Sequence, residues 1–191
     1  MPTYGDSTAV RLAPAGRVWL AAGGTTLPTN ISTAMGTVSP NYKELGYISD
    51  AGVSLTPGYD TNGIKAWQSA VDVKTVLTGV SLQAKFAAIE VSQTTTANYF
   101  FGGAWANSGG IGKLDFASNP SLAERVLVIE YIDDAAYTNR LVLGRCFLTD
   151  RDAMQLVRTE ATAFGVTVEA LDLAGSLGFL LSNNPALIPA T

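Results

Sequence analysis

The sequence contains no histidine, a single cysteine, few charges and no long apolar run. Each shortage removes a class of function. Without imidazole there is no Ser/His/Asp or Cys/His nucleophile pair, no histidine acid or base, and no His-ligated zinc, haem or copper. The lone Cys146 allows neither an internal disulfide nor an iron–sulfur cluster, and its place inside an apolar run marks it as a small buried thiol. Charged residues make up 15% of the 191 positions and hydrophobic ones 47%, where about 25% charge is usual for soluble proteins. Something other than water is therefore expected to cover part of the surface. Basic residues number 12 against 16 acidic ones, a net charge of −4. They form no cluster, which speaks against a nucleic-acid-binding face. No apolar stretch approaches the ~18 residues of a membrane-spanning helix, and Met1 to Gly16 lacks the pattern of a secretory signal, so the chain is expected to fold in a cytoplasm, away from membranes.

The motifs that carry chemistry are equally thin. Gly102 to Lys113 is glycine-rich, but Asn107 and Leu114 stand where a phosphate loop needs Gly and Ser or Thr. Asp133-Asp134 and the pair Asp150/Asp152 lack the ligand ladder of a calcium loop and read as turn formers or helix caps. No Ser stands three residues before a Lys in an acyl-transfer pattern. No catalytic, cofactor-binding or metal-binding residue is assigned. Glu130 and Arg145, single charges inside apolar strands, must lie on a solvated face or find partners within or between subunits.

What the chain does have is turn chemistry and alternation. Nineteen Gly and eight Pro are spread throughout, favouring many short strands over long helices. Ala70 to Leu77 and Ser81 to Phe86 alternate with period two and predict a β-hairpin turning at Thr78-Gly79. Arg125 to Ile132, apolar on both faces, predicts a second pair with Asn139 to Thr149, turning at Asp133 to Ala136. A weaker third pair is Gln155 to Thr162 with Val166 to Leu171. Ser92 to Phe101 predicts a helix stopped by Gly102-Gly103, and Asp150 to Met154 a single helical turn. The predicted fold is mainly β, an antiparallel sandwich or barrel with one flanking helix, in a single domain over residues 1–191. An N-terminal arm (1–16) and a C-terminal arm (182–191) are both rich in Pro and extended. The stretch 49–68 is too long for a hairpin turn and reads as a functional loop.

An ordered set of short phrases runs from Gly16 to about Gly103: Ala22-Gly23-Gly24-Thr25-Thr26-Leu27-Pro28-Thr29, then Glu44-Leu45-Gly46-Tyr47-Ile48-Ser49-Asp50-Ala51-Gly52-Val53, then Ile64-Lys65-Ala66-Trp67-Gln68, closing on Phe86-Ala87-Ala88-Ile89-Glu90. In order and spacing this resembles the major tail tube proteins of long-tailed, siphovirus-type bacteriophages, particularly those of actinobacterial phages. The resemblance implies a structural virion protein, assembled in the host bacterial cytoplasm. Copies form hexameric rings that stack into a tube; the tape measure protein spans the tube, and DNA passes through without specific binding. Its other implied partners are the tail terminator, the distal tail protein and tail assembly chaperones.

On this resemblance the 49–68 loop reaches neighbouring subunits, with Tyr47, Tyr59, Asp60 and Trp67 as interface candidates. The alternative for Trp67 is the subunit's own core. Asp72 and Gln83 are candidates to line the lumen, where neutral and acidic groups repel phosphate. Rival readings are a tail terminator or another virion β-barrel protein, and a carbohydrate-binding β-sandwich using Trp19, Trp67 or Trp105 as stacking platforms. An enzyme is not expected.

Overall fold

The computed structural model describes residues 9–92, 94–116, 118 and 123–189. The chain is mainly β, with 49% strand and 9% helix. Its principal sheet is antiparallel and eight-stranded, formed by β1 (Ala15–Ala22), β2 (Lys43–Glu44), β3 (Ile48–Lys65), β4 (Asp72–Ala88), β7 (Arg125–Ile132), β8 (Thr138–Arg151), β9 (Phe164–Ala170) and β10 (Phe179–Ser182). The short strands β5 (Ala106–Ser108) and β6 (Ile111–Lys113) pair separately. Strand order in the main sheet is β2-β1-β7-β8-β9-β4-β3, with β10 on β8.

The two ends of this path are joined covalently. β2 lies at one edge, β3 at the other, and only Leu45, Gly46 and Tyr47 separate them. Leu45 N–H donates to the Val18 carbonyl on β1 at 2.9 Å, and Ile89 N–H, just beyond β4, donates to the Tyr47 carbonyl at 2.9 Å. The sheet therefore rolls up and meets itself at this seam. Gly46 makes the corner: its φ is +81°, and a Cβ there would lie 2.4 Å from Glu90 Oε2, so both conformation and space require glycine.

Alternation explains the two buried layers. Val18, Leu20, Leu127, Ile129, Leu143, Cys146, Leu148, Phe86, Val166 and Val168 point into the barrel. On the opposite face Ala21, Val126, Val128 and Val142 pack under Met35 and Tyr42, which belong to the segment between β1 and β2 that contains the one-turn helix α1 (Met35–Val38). This is why Arg125 to Ile132 is apolar on both faces. Arg140 fastens the cover. Its side chain is 2% exposed; it grips Glu130 Oε2 through Nε at 2.9 Å and Nη2 at 2.5 Å, and its Nη1 donates to the carbonyls of Asn30 at 2.7 Å and Thr33 at 3.1 Å. The isolated strand charges thus find partners within the subunit: Glu130 with Arg140, and Arg145 with Glu124 at 2.6 Å.

Helix α2 (Thr94–Phe101) stands close to its predicted place and ends at Gly102, φ +71°. Its Ala97 and Phe100 enter the barrel core, where Phe100 stacks on Phe164 with centroids 4.6 Å apart. The predicted β7–β8 hairpin forms as expected, and its turn is held by Asp133, whose Oδ1 accepts from the Ala135 and Tyr137 amides. Within β8 an extra residue at Gly144-Arg145 makes a bulge opposite Val126. The bulge shifts alternation, so Leu143 and Cys146 share the core face while Arg145 points out to Glu124.

Four expectations fail. Thr78-Gly79 is not a turn: residues 72–88 form one strand, and the hairpin predicted from Ala70 to Phe86 does not exist. A two-residue hairpin turn needs positive φ, and neither residue has it. The stretch 49–68 is not a loop but β3 as far as Lys65; β3 has a free outer edge, where Pro57 is tolerated. Gln155 to Thr162 is irregular, with Leu156 and Val157 exposed, so only β9 of the third pair forms. Asp150 to Met154 makes no helix, since β8 continues to Arg151 and Asp152 ties to Lys85 at 2.9 Å. At the ends, β1 begins at Ala15 and β10 reaches Ser182, while Met1 to Thr8 of the N-terminal arm and the final two residues lie outside the described residues.

Candidate assembly surface

Only the root of β4, Gln83 to Ala88, pairs with β9. Beyond it β3 and β4 pair with each other alone, from Pro57↔Leu82 to Lys65↔Asp72. The ten steps from Leu82 to Asp72 make a two-stranded ribbon roughly 33 Å long. Residues 66–71 close its tip, where Ser69 N–H donates to the Ala66 carbonyl at 3.1 Å.

The ribbon is amphipathic. Ala84, Phe86 and Ala88 face the barrel core, and alternation carries Leu82 and Val80 along the same side, opposite Pro57 and Tyr59. Between Asp60 and Thr61 the register shifts, Thr78 is left unpaired, and Leu77 falls opposite Thr61. This bulge returns Leu77 to the apolar side, where strict alternation from Val80 would have turned it away. The other side presents Ser54, Thr56, Gly58, Asp60 and Asn62 beside Ser81, Gln83 and Lys85, and beyond the bulge it also carries Ile64, Lys74 and Val76. Tyr59 is 69% exposed and Leu77 54% exposed, so the apolar side of the ribbon has no cover among the described residues. A ribbon of two strands is marginal in water by itself.

The predicted residues fall in distinct places. Trp67 sits at the tip, 99% exposed, so it takes no part in the subunit's core. Tyr59 and Asp60 lie midway along the ribbon, Asp60 against Gly79. Tyr47 is at the seam, its amide donating to Glu90 Oε2 at 3.2 Å and its ring exposed. Asp72 and Gln83 belong to the same strand but to opposite ends of the ribbon. Asp72 folds over Gly63 at the tip, whereas Gln83 Nε2 donates to Glu169 Oε2 at 3.3 Å at the root. The alternation of Val53, Leu55, Pro57 and Tyr59 with polar neighbours was the sequence signal for this ribbon, masked by the turn-like Pro57-Gly58.

The three tryptophans do not combine. Trp19 is partly buried beneath the 27–42 segment, Trp67 is on the ribbon, and Trp105 packs near Gly112 of β6. Among the described residues no helix is long and apolar enough to cross a membrane.

The sequence model of the phage tail tube protein family matches residues 4–185. The chain belongs to that family. Membership makes it a structural component of a phage tail. Among solved structures, a chain of the anti-feeding prophage (AFP) baseplate, a 6-fold symmetrised cryo-EM structure, is similar over 95% of this chain and 97% of its own, at 10% identity and a TM-score of 0.50. A chain of an extracellular contractile injection system, the PVC sheath–tube complex in its extended state, aligns over 87% of this chain and 88% of its own, at 12% identity and a TM-score of 0.33. The first likeness is one of fold. A search of curated proteins finds no match.

Proposed function

We propose that this tail tube protein is a self-assembling subunit whose copies join laterally through the β3–β4 ribbon into hexameric rings, and that the rings stack into the hollow tail. The observation that carries this reading is the ribbon: some 33 Å of paired strand, with an apolar side, free hydrogen-bonding edges and no partner among the described residues. The apolar side, with Tyr59, Val80 and Leu77, packs on the neighbouring copy, and Trp67 anchors the tip. The opposite side carries Ser54, Thr56, Asp60, Asn62 and Gln83 together with Lys74 and Lys85, the latter held by Asp152; it faces the lumen, where a polar lining with little free positive charge lets DNA slide without adhering. Asp72, at the tip, folds over Gly63 on the Tyr59 side and meets the next copy at the edge of that lining. The tape measure protein spans the tube during assembly, and the terminator and distal tail proteins close its ends.

Negative-stain microscopy of the purified chain tests this reading. Uniform tubes on the order of ten nanometres wide are expected for rings of small β-barrels. A species that stays monomeric at every concentration, alone and with its initiating partner, would refute it.

A further inference from the structure

One end of the barrel carries a cavity that the ribbon does not use. It opens where β1 and β8 finish and β7 begins, beside α2, and has a volume of about 470 Å³, within the range of pockets that hold small ligands. Lys43 of β2, Arg125 of β7 and Arg151 of β8 all line it. Among the described residues none of the three has a carboxylate partner. The nearby acids are engaged elsewhere, Glu44 with Arg17 at 3.7 Å and Glu124 with Arg145 at 2.6 Å. Arg151 donates through Nε to the Phe100 carbonyl. Three like charges around one mouth repel each other unless an anion lies between them.

A second observation comes from α2. Asn98 and Tyr99 stand in the cavity wall, and both Asn98 Oδ1 and the Tyr99 hydroxyl are buried without a hydrogen-bond partner. Native interiors rarely leave such atoms unpaired. Burial pushes the Tyr99 phenol well above its usual range, so it keeps its proton and can donate. A half-turn of the Asn98 amide presents its NH2 group to the cavity. Guanidinium, ammonium, phenol and amide donors around one space form an oxyanion site, and planar guanidinium groups favour carboxylate.

Resting on the reading of the chain as a self-assembling tube subunit, we infer that this cavity receives a carboxylate side chain from a second copy, at a contact separate from the ribbon. The chain supplies the ligand itself. It has 16 acids to 12 bases, and among the described residues outside the ribbon Asp50 and Asp134 are exposed and in no ion pair. Acceptor and donor lie on different parts of one surface, so the contact is heterologous and propagates instead of closing a dimer.

The test follows assembly of the full-length chain by light scattering and negative-stain microscopy for wild type, Lys43→Gln and Arg125→Gln, with circular dichroism and Tm recording whether each folds. The critical concentration is expected to rise tenfold or more in both variants. Millimolar glutarate should raise it in wild type beyond the effect of sodium chloride at equal ionic strength, and leave Arg125→Gln unmoved. If Arg125→Gln does not fold, exposed Lys43→Gln carries the comparison. Variants that assemble at the wild-type concentration overturn the inference, including the case where glutarate still raises the subunit's Tm, which marks a free-ion site. If wild type itself makes no polymer, the tube reading fails and the cavity is judged on the subunit alone. A glutarate-dependent rise in Tm for wild type but not for Arg125→Gln supports the carboxylate site, and no rise overturns it.

Discussion

Arg140 shows what a single side chain contributes to this fold. It is buried, its charge is met by Glu130, and its remaining donors hold the 27–42 cover by main-chain carbonyls. Removing one partner of a buried pair strands the other charge, so Arg140→Met should cost about 3–5 kcal/mol in urea unfolding, whereas the solvent-exposed pair Lys113–Asp115 should contribute less than about 1 kcal/mol. Ala136 has a φ of +63° in the Asp133 turn, a conformation that costs an L-residue about 1 kcal/mol or more. Ala136→Gly should therefore raise Tm slightly, the gain trimmed by the greater freedom of glycine in the unfolded chain. Burial pushes the Cys146 thiol up from 9.0 to about 12. The folded state then holds a proton that the unfolded state releases between these values, so this contribution is intact below about pH 9 and lost as pH climbs toward 12. By pH 10.5 the loss should be about 2 kcal/mol relative to a Cys146→Ala chain, read from paired denaturation curves.

At the scale of elements the ribbon and its bulge govern what the subunit can join. Trp67→Ala removes a fully exposed ring, so Tm should move by less than about 3 °C while assembly weakens; a large fall in Tm would contradict the placement of Trp67. Inserting one serine between Asp60 and Thr61 gives Thr78 a partner, removes the bulge and turns Leu77 to the polar side, and should abolish tubes while sparing the barrel. The β7–β8 hairpin and α2 were legible because their signals are local: doubly apolar strands around an Asp turn, and a Gly-stopped helical segment. The ribbon was not, because Pro57-Gly58 and Thr78-Gly79 imitate turns while serving an edge strand and a bulge. Nothing short-range distinguishes those uses; pairing over 18 residues of β3 decides them. The apolar excess of the composition is matched by exposed apolar groups, Tyr59 and Trp67 among them. The cationic cavity left no trace in sequence, since Lys43, Arg125 and Arg151 are far apart in the chain and meet only when the barrel closes.

At the scale of the whole molecule, a three-residue seam joins the sheet's first and last strands, so the barrel half is complete in the single chain while the ribbon half is not. The two halves should respond differently to denaturant and to concentration: the barrel's unfolding midpoint should be independent of protein concentration, and ribbon order should rise with it. On the proposed assembly, joining the tube is then partly an ordering of the ribbon. Amides on the free edges of the ribbon, which have no strand partner among the described residues, should become slow to exchange with deuterium on polymerisation, and calorimetry of assembly should record a negative heat-capacity change larger than rigid docking of the barrels would produce. On the proposed assembly the contact itself proofreads placement, because a misplaced copy would leave the apolar side of its ribbon uncovered and its attachment short-lived.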